Sequence, residues 1–186
     1  MNSENFKTVK YSQTSVSELM VPAYANFGGK IHGGILLSLM DKVAYACASK
    51  HAANYCVTVS VENVEFLEPV EVGEMVTMHA SVNYVGTSSM VIGIKVVAEN
   101  FKLGTQKTTN SSYFTMVAKD DKGKPTPVPA LILESKEEIK RFLEAMQRRK
   151  LKASYKKELQ NARLALLHES EDNLLSGERC KVSLKN

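Results

Sequence analysis

The stretch Gly33-Gly34-Ile35-Leu36-Leu37-Ser38-Leu39-Met40-Asp41-Lys42-Val43-Ala44-Tyr45-Ala46-Cys47 decides how this chain folds. Ile35, Leu36, Leu39, Met40, Val43, Ala44 and Cys47 recur at the spacing of one helix. Apolar residues run almost all the way round it, so the helix is expected to be buried. Gly33-Gly34 stand at its start and His51 to Asn54 end it, giving a predicted helix over roughly 33–51. Four alternating runs follow, around Val57–Glu62, Val76–Asn83, Met90–Val96 and Tyr113–Ala118. Turn signals lie beside them at Pro69–Gly73, Gly86-Thr87-Ser88, Asn100–Gly104 and Asp120–Gly123. Connections this short suit antiparallel neighbours. One apolar helix followed by such strands predicts an α+β fold in which an antiparallel sheet wraps a central helix.

Beyond this block the pattern changes to helix. Pro125, Pro127 and Pro129 keep a linker extended. Ser135-Lys136-Glu137-Glu138 then matches a capping box, Ser135 capping and Glu138 reaching back. Ile139, Phe142, Leu143 and Met146 form one apolar stripe, and Tyr155, Leu159, Ala162 and Leu166 a second. The phase breaks near Arg148-Arg149-Lys150, so two helical stretches or one long bent helix are expected to about Glu169, with frayed residues from Ser170. The division expected is 1–130 for the sheet-and-helix domain and 131–186 for a basic helical C-terminal tail.

Composition narrows the class. The 186 residues are 44% hydrophobic and 24% charged, which suits one globular domain with a core. No apolar run approaches the roughly 20 residues of a membrane span. The polar N-terminus lacks the apolar centre of a signal peptide, so a cytoplasmic protein is expected. Cys47, Cys56 and Cys180 are odd in number and have no C-x-x-C spacing, which reads as reduced thiols. The four histidines show no metal-ligand spacing, so no metal and no cofactor are expected. Residues 1–133 carry 11 basic and 11 acidic groups, and residues 134–186 carry 13 and 9, so the net +4 belongs wholly to the tail. The front of the chain therefore offers no electrostatic sign of nucleic acid.

Most catalytic patterns are absent: there is no G-x-S-x-G elbow, P-loop or G-x-G-x-x-G. What remains is Asn26-Phe27-Gly28-Gly29-Lys30-Ile31-His32-Gly33-Gly34, followed by the helix that carries Asp41. The glycines let backbone approach a ligand closely, or simply make a tight packing turn. Gly33-Gly34 sit at a helix N-terminus, where free N–H groups and the dipole favour negative charge, including the oxyanion of an acyl transfer. Asp41 lies two turns into an apolar helix. A carboxylate there is costly unless it is paired or used, and the plain alternative is a solvated group beside Lys42.

The pattern Asn26-x-x-Gly29-x-x-His32-Gly33-Gly34, six residues, then Asp41, resembles the acyl-coenzyme A hydrolases of the hotdog superfamily, the YciA-type and cytosolic brain-type groups above all. The resemblance continues through Val57–Phe66, Pro69–Glu74, Val85–Ser89 and Phe114–Ala118, and covers roughly residues 15–130. It implies hydrolysis of acyl-CoA to free fatty acid and coenzyme A. It implies that Asp41 activates water or attacks the thioester, that Asn26 orients the thioester or the water, and that the Gly34 N–H, with Gly33, holds the oxyanion. Thr58 stands where the family often places a polar group near the attacking water. Gly29, His32 and Gly33 would line the substrate, His32 in a mainly structural part. Thr87 stands where the YciA-type loop often has a basic residue, leaving Ser88, Ser89 and Lys119 to meet the coenzyme. The resemblance also implies a homodimer at least, and a hexamer built as a trimer of dimers. In such a dimer Asn26 and Asp41 of one site come from opposite subunits.

Two rivals stand beside this reading. One is a non-catalytic acyl-CoA-binding module on the same fold. The other is a hotdog dehydratase, which needs a catalytic histidine paired with an acid on the helix; here Asp41 has no such partner at a matching place. Tyr45, His51 and Tyr55 read as packing. The basic tail reads first as a solvated helix face. Help with the coenzyme phosphates, packing between subunits and contact with a membrane surface are its other readings, the last weakened by modest stripes and the absence of Trp.

Overall fold

The computed structural model describes residues 5–166 and 174–183. In chain order the elements are β1 (Phe6–Thr8), α1 (Val9–Ser12), β2 (Thr14–Leu19), a 3-10 turn (Pro22–Tyr24), α2 (Gly33–Ala52), β3 (Tyr55–Val61), β4 (Glu65–Phe66), β5 (Met75–Val85), β6 (Ser89–Asn100), β7 (Thr105–Lys119), β8 (Ala130–Ile132) and α3 (Lys136–Ala165). The main sheet runs β2-β5-β6-β7-β3, with β4 also paired to β7, and every pairing in it is antiparallel. Helix α2 packs against β2, β3, β5, β6 and β7. The sheet is therefore wrapped around one helix, which is the hotdog arrangement that the opening stretch predicts.

Period-two alternation explains the wrapping. Val76, Met78, Ala80 and Val82 of β5, Met90, Ile92, Ile94, Val96 and Ala98 of β6, and Phe114, Met116 and Ala118 of β7 all join one core. Leu36, Met40, Val43, Ala44, Cys47 and Ala48 of α2 complete it. The helix is not apolar on every exposed surface, however. Leu37, Ser38, Asp41, Lys42 and Tyr45 are exposed in the single chain, so the expectation of a helix buried all round is corrected to one buried on the sheet side. Strand β3 lies at the end of the sheet order, and Tyr55, Val59 and Val61 along it are also exposed. One mixed helix face, with Leu37 and Tyr45 beside Ser38, Asp41 and Lys42, and one strand edge thus share an uncovered side of the domain.

Two caps bound α2. At its start His32 is the N-cap, its Nδ1 accepting the Gly34 N–H at 2.9 Å. At its end Ala53 takes a left-handed conformation, φ 55°, and its N–H donates to Ser49 O at 2.8 Å. Below that end His51 is buried; its Nδ1 meets Ser12 Oγ at 3.3 Å and its Nε2 meets Pro129 O at 3.0 Å. It therefore ties α1, α2 and the extended linker together.

By its contacts the chain divides into two units, Met1–Ala145 and Met146–Asn186. Helix α3 is continuous across that division. Its start is held as the capping box suggests on one side, with the Glu138 N–H donating to Ser135 Oγ at 3.2 Å. The Glu138 carboxylate takes the N–H of Glu134, not of Ser135. Within the first unit Phe142 meets Tyr84 with ring centroids 5.0 Å apart, and Ala145 is fully buried. The expected end near Glu169 and the frayed start at Ser170 lie outside the described residues.

Candidate active site

The loop before α2 is built around Asn26. Its Oδ1 accepts the N–H groups of Gly28 at 2.9 Å and Lys30 at 3.2 Å. Its backbone N–H donates to Lys30 O, and its carbonyl accepts from Gly29, which needs the positive φ of 75° that glycine allows. With both lone-pair directions of Oδ1 engaged, what the side chain has left for a ligand is the Nδ2 donor pair. The loop is anchored by an Ile31 N–H to Val70 O bond, a His32 N–H to Tyr24 O bond, and a Lys30–Glu71 ion pair at 2.6 Å. Phe66 closes over the helix start: a Cβ on Gly33 would lie 3.0 Å from its ring. No sequence pattern marked Phe66 as part of this neighbourhood, because it arrives from β4.

Two turns along α2, Asp41 faces a cleft of about 330 Å³ lined by Lys42, Tyr45, Tyr55, Cys56, Val57, Thr58 and Met116. Thr58 Oγ1 donates to Asp41 Oδ1 at 2.6 Å. The same hydroxyl lies 3.2 Å from Met116 Sδ, but it has one proton, and a carboxylate is much the better acceptor. The bond fixes the carboxylate and leaves Oδ2 for other chemistry. Asp41 is exposed, so it does not bear the burial cost that its place in an apolar helix suggested. Tyr45 and Tyr55, whose centroids are 6.1 Å apart, border this cleft and also an adjoining one of about 670 Å³ that includes Asn54, Lys119, Asp120 and Asp121. They are exposed walls here, where the sequence suggested packing alone.

Ser88 and Ser89 lie at the β5–β6 hairpin, where Ser88 O accepts the Ala118 N–H and Ser89 O the Gly86 N–H. The strand register sets Ser89 opposite Val117, two residues before Lys119. The predicted residues thus fall into three groups: Asn26, Gly29, His32, Gly33 and Gly34 at the helix start; Asp41 with Thr58; and Ser88, Ser89 and Lys119 at the hairpin end. Gly34 and Asp41 are seven residues apart on one helix, about 10 Å along its axis. Asn26 does not line the Asp41 cleft.

Chemically, the cleft holds a carboxylate and no activated thiol. Burial pushes the Cys47 thiol up to about 12, the nearby Lys50 charge only partly opposing it. Burial likewise raises Cys56, the nearby Ser49 hydroxyl only partly opposing it. A thiol so held is protonated near neutrality and is a poor nucleophile. Among the described residues no group of three or more His, Cys, Asp or Glu converges as a metal-binding set.

Residues 28–105 match the profile of the Thioesterase superfamily. Protein VdlD of Helicobacter pylori is 44% identical over 145 residues, spanning 78% of this chain and 83% of the relative. The chain belongs to the Thioesterase superfamily. Within that superfamily, an apo-hexameric acyl-CoA thioesterase superposes with TM-score 0.79 at 32% identity, over 81% of this chain and 97% of its own. The acyl-CoA hydrolase from Staphylococcus aureus, in complex with butyryl coenzyme A and coenzyme A, superposes with TM-score 0.77 at 30% identity, over 87% and 99%. Three variants of the Staphylococcus enzyme have also been solved, each with alanine in place of one residue: an asparagine, an aspartate 15 residues later, and a threonine 17 residues after that.

Proposed function

We propose that this protein hydrolyses acyl-CoA thioesters to a free carboxylic acid and coenzyme A at a site shared between two subunits. The observation that carries the reading is the Asp41–Thr58 pair, a carboxylate fixed at 2.6 Å in an open cleft on the uncovered side of the domain. The separations Asn26 to Asp41 and Asp41 to Thr58 are the same 15 and 17 residues that divide the three positions altered in the Staphylococcus hydrolase.

In this reading Asp41 takes a proton from water as the water oxygen adds to the thioester carbonyl. The resulting oxyanion is held by N–H donors at the start of a helix. Collapse expels the coenzyme A thiolate, which takes up a proton, and the acid departs. Thr58 is a positioning residue for the Asp41 carboxylate. Asn26 donates from Nδ2 to the thioester carbonyl or to the water. Gly33 is the better candidate donor in the state described, since the Gly34 N–H is already held by His32; Gly34 serves once that ring turns aside. Lys119, Ser88 and Ser89 lie at the end where the coenzyme would enter. If Asp41 instead attacked the carbonyl itself and water then opened the resulting anhydride at the Asp41 carbon, a single turnover in ¹⁸O-water would leave ¹⁶O in the product acid and ¹⁸O in the Asp41 carboxylate.

The roughly 10 Å between Gly34 and Asp41 on one helix supports a two-subunit site. Antiparallel pairing of two α2 helices through Leu37, Asp41 and Tyr45, with β3 edges adjacent, would bring one subunit's helix start toward the other's Asp41. It would also cover the exposed Leu37 and Tyr45 side chains and an unpaired strand edge. We take a dimer as the minimum and a hexamer as the full assembly, supported by the hexameric neighbour. We place its work in the cytoplasm, which the unpaired Cys47 and Cys56 support. The test is thiol release from acyl-CoA esters of two to sixteen carbons. Turnover of part of that series is expected. Tight binding of every ester without thiol release would replace the hydrolase by the acyl-CoA-binding module.

A further inference from the structure

We propose that the C-terminal half of α3 is a docking surface for anionic lipid bilayers, a role independent of the hydrolytic site. From Arg149 to Leu166 every residue is exposed. Leu151, Tyr155, Leu159 and Leu166 are 60%, 65%, 38% and 56% exposed, so in the single chain they form an uncovered apolar row. At roughly 100° per residue these four and Ala162 fall within an arc of about 80°. Lys152, Arg163, Lys156 and Arg149 follow along one border of that arc, and Lys150 and Lys157 lie behind it. Residues 146–165 carry seven basic groups and one acidic group, Glu158, against a net charge of zero for residues 1–133.

Stripe and charge together select the occupant. A nucleic acid would use the charges and leave the leucines in water. A second copy of the helix would cover the leucines and bring two basic borders together with only Glu158 to offset them. An anionic bilayer takes both: the row enters the headgroup boundary and the basic border meets lipid phosphates and carboxylates. The helix lies on the surface, since no described helix is long and apolar enough to cross a membrane. A solvated face was the first reading of this segment, but it does not account for a continuous exposed row at helical spacing.

The chain has no Trp, so Tyr155→Trp gives the full-length protein a single reporter in the row. Its emission is expected to shift to the blue on vesicles of phosphatidylcholine with roughly 30% phosphatidylserine, and to be unmoved by pure phosphatidylcholine. Salt should reverse the shift, and brominated lipids should quench it. In co-sedimentation, Lys156→Gln/Arg163→Gln, which removes two charges of the border, should weaken binding by roughly 30-fold. Leu151→Ser/Leu159→Ser should weaken it by on the order of 10²-fold. Both variants should keep wild-type turnover of a short-chain acyl-CoA in solution. No shift and no sedimentation with anionic vesicles would overturn the proposal. Binding undiminished in the Leu variant would also overturn it and point to charge alone, as for nucleic acid. Loss of native oligomer size by that variant in light scattering would overturn it in favour of a second copy.

Discussion

Removing one hydroxyl should show whether the Asp41 carboxylate works because it is held. Thr58→Val keeps the shape of the side chain and deletes the donor to Asp41 Oδ1, a 2.6 Å bond from a hydroxyl to a carboxylate. Hydrogen bonds to charged groups contribute about 1.5–3 kcal/mol. If that whole amount keeps the carboxylate in its reactive rotamer, kcat falls roughly 10- to 150-fold. KM should change much less, because the coenzyme contacts expected at Ser88, Ser89 and Lys119 are not part of this bond. Stability should fall by no more than that bond contributes, since Thr58 is exposed in the single chain. The assay is initial-rate thiol release, with Thr58→Ser as control. Serine keeps the hydroxyl and should hold kcat within about threefold of wild type. Wild-type kcat in Thr58→Val, or equal losses in the Val and Ser variants, would refute the positioning role.

Three further outcomes are expected. Ala53→Gly should stabilise the protein by about 1 kcal/mol, because an alanine at φ 55° bears a left-handed backbone cost that glycine lacks; differential scanning calorimetry should show a rise in Tm of about 2–4 °C, and a fall would contradict the cap geometry. Burial holds His51 below its ordinary 6.5, with Lys7 adding to this and the Pro129 carbonyl opposing it. Its folded form therefore binds fewer protons than its unfolded form, so this stability is full above about 6.5 and is lost as the pH falls from there toward the lowered value. Urea midpoints should drop between pH 7.5 and 5.5 in wild type and drop less in His51→Gln; an unchanged slope would assign the pH dependence elsewhere. His32→Ala should cost about 1 kcal/mol of stability through the lost cap, while kcat holds or rises because the Gly34 N–H is freed; a fall in kcat of the Thr58→Val size would make His32 part of the chemistry.

Helical spacing and apolar inward rows made α2, β5, β6 and the last part of β7 legible in the sequence, whereas β3 was legible through its Val57, Val59 and Val61 row, of which Val59 and Val61 are exposed. The first half of β7 and all of β2 were not legible. The inward row of β7 begins with Asn110 and Ser112, which are buried polar groups. Their donors are taken up by segments far away in sequence, Asn110 Nδ2 donating to Glu65 O and Ser112 Oγ to Glu62 O, while the buried Asn110 Oδ1 has no hydrogen-bond partner among the described residues. Polarity on both faces hides a strand until the partner is known. β2, Thr14–Leu19, is similarly polar and is held by its ladder with β5. Within the candidate site, the loop glycines and Asp41 stood out in the sequence, and Asn26 entered through the family resemblance. The capture of Gly34 N–H by His32, the Phe66 ring over Gly33 and the exposure of Tyr45 and Tyr55 were not legible. Each depends on how α2 meets β3, β4 or its own cap, contacts that no local pattern encodes.

We propose that one active site draws Asn26 and Asp41 from two subunits. Asp41→Asn and Asn26→Ala should each lower kcat, the first by on the order of 10²-fold or more, the scale of a positioned base. The direct measurement is acyl-CoA turnover after the two variants are mixed under conditions that allow subunit exchange. A mixed dimer then holds one site with both original groups and one with neither, so activity should return to a substantial fraction of wild type as exchange proceeds. If a single subunit supplied both groups, every site in the mixture would lack one of them. Activity that stays at the level of the separate variants, with exchange verified by mass spectrometry, would contradict the shared site.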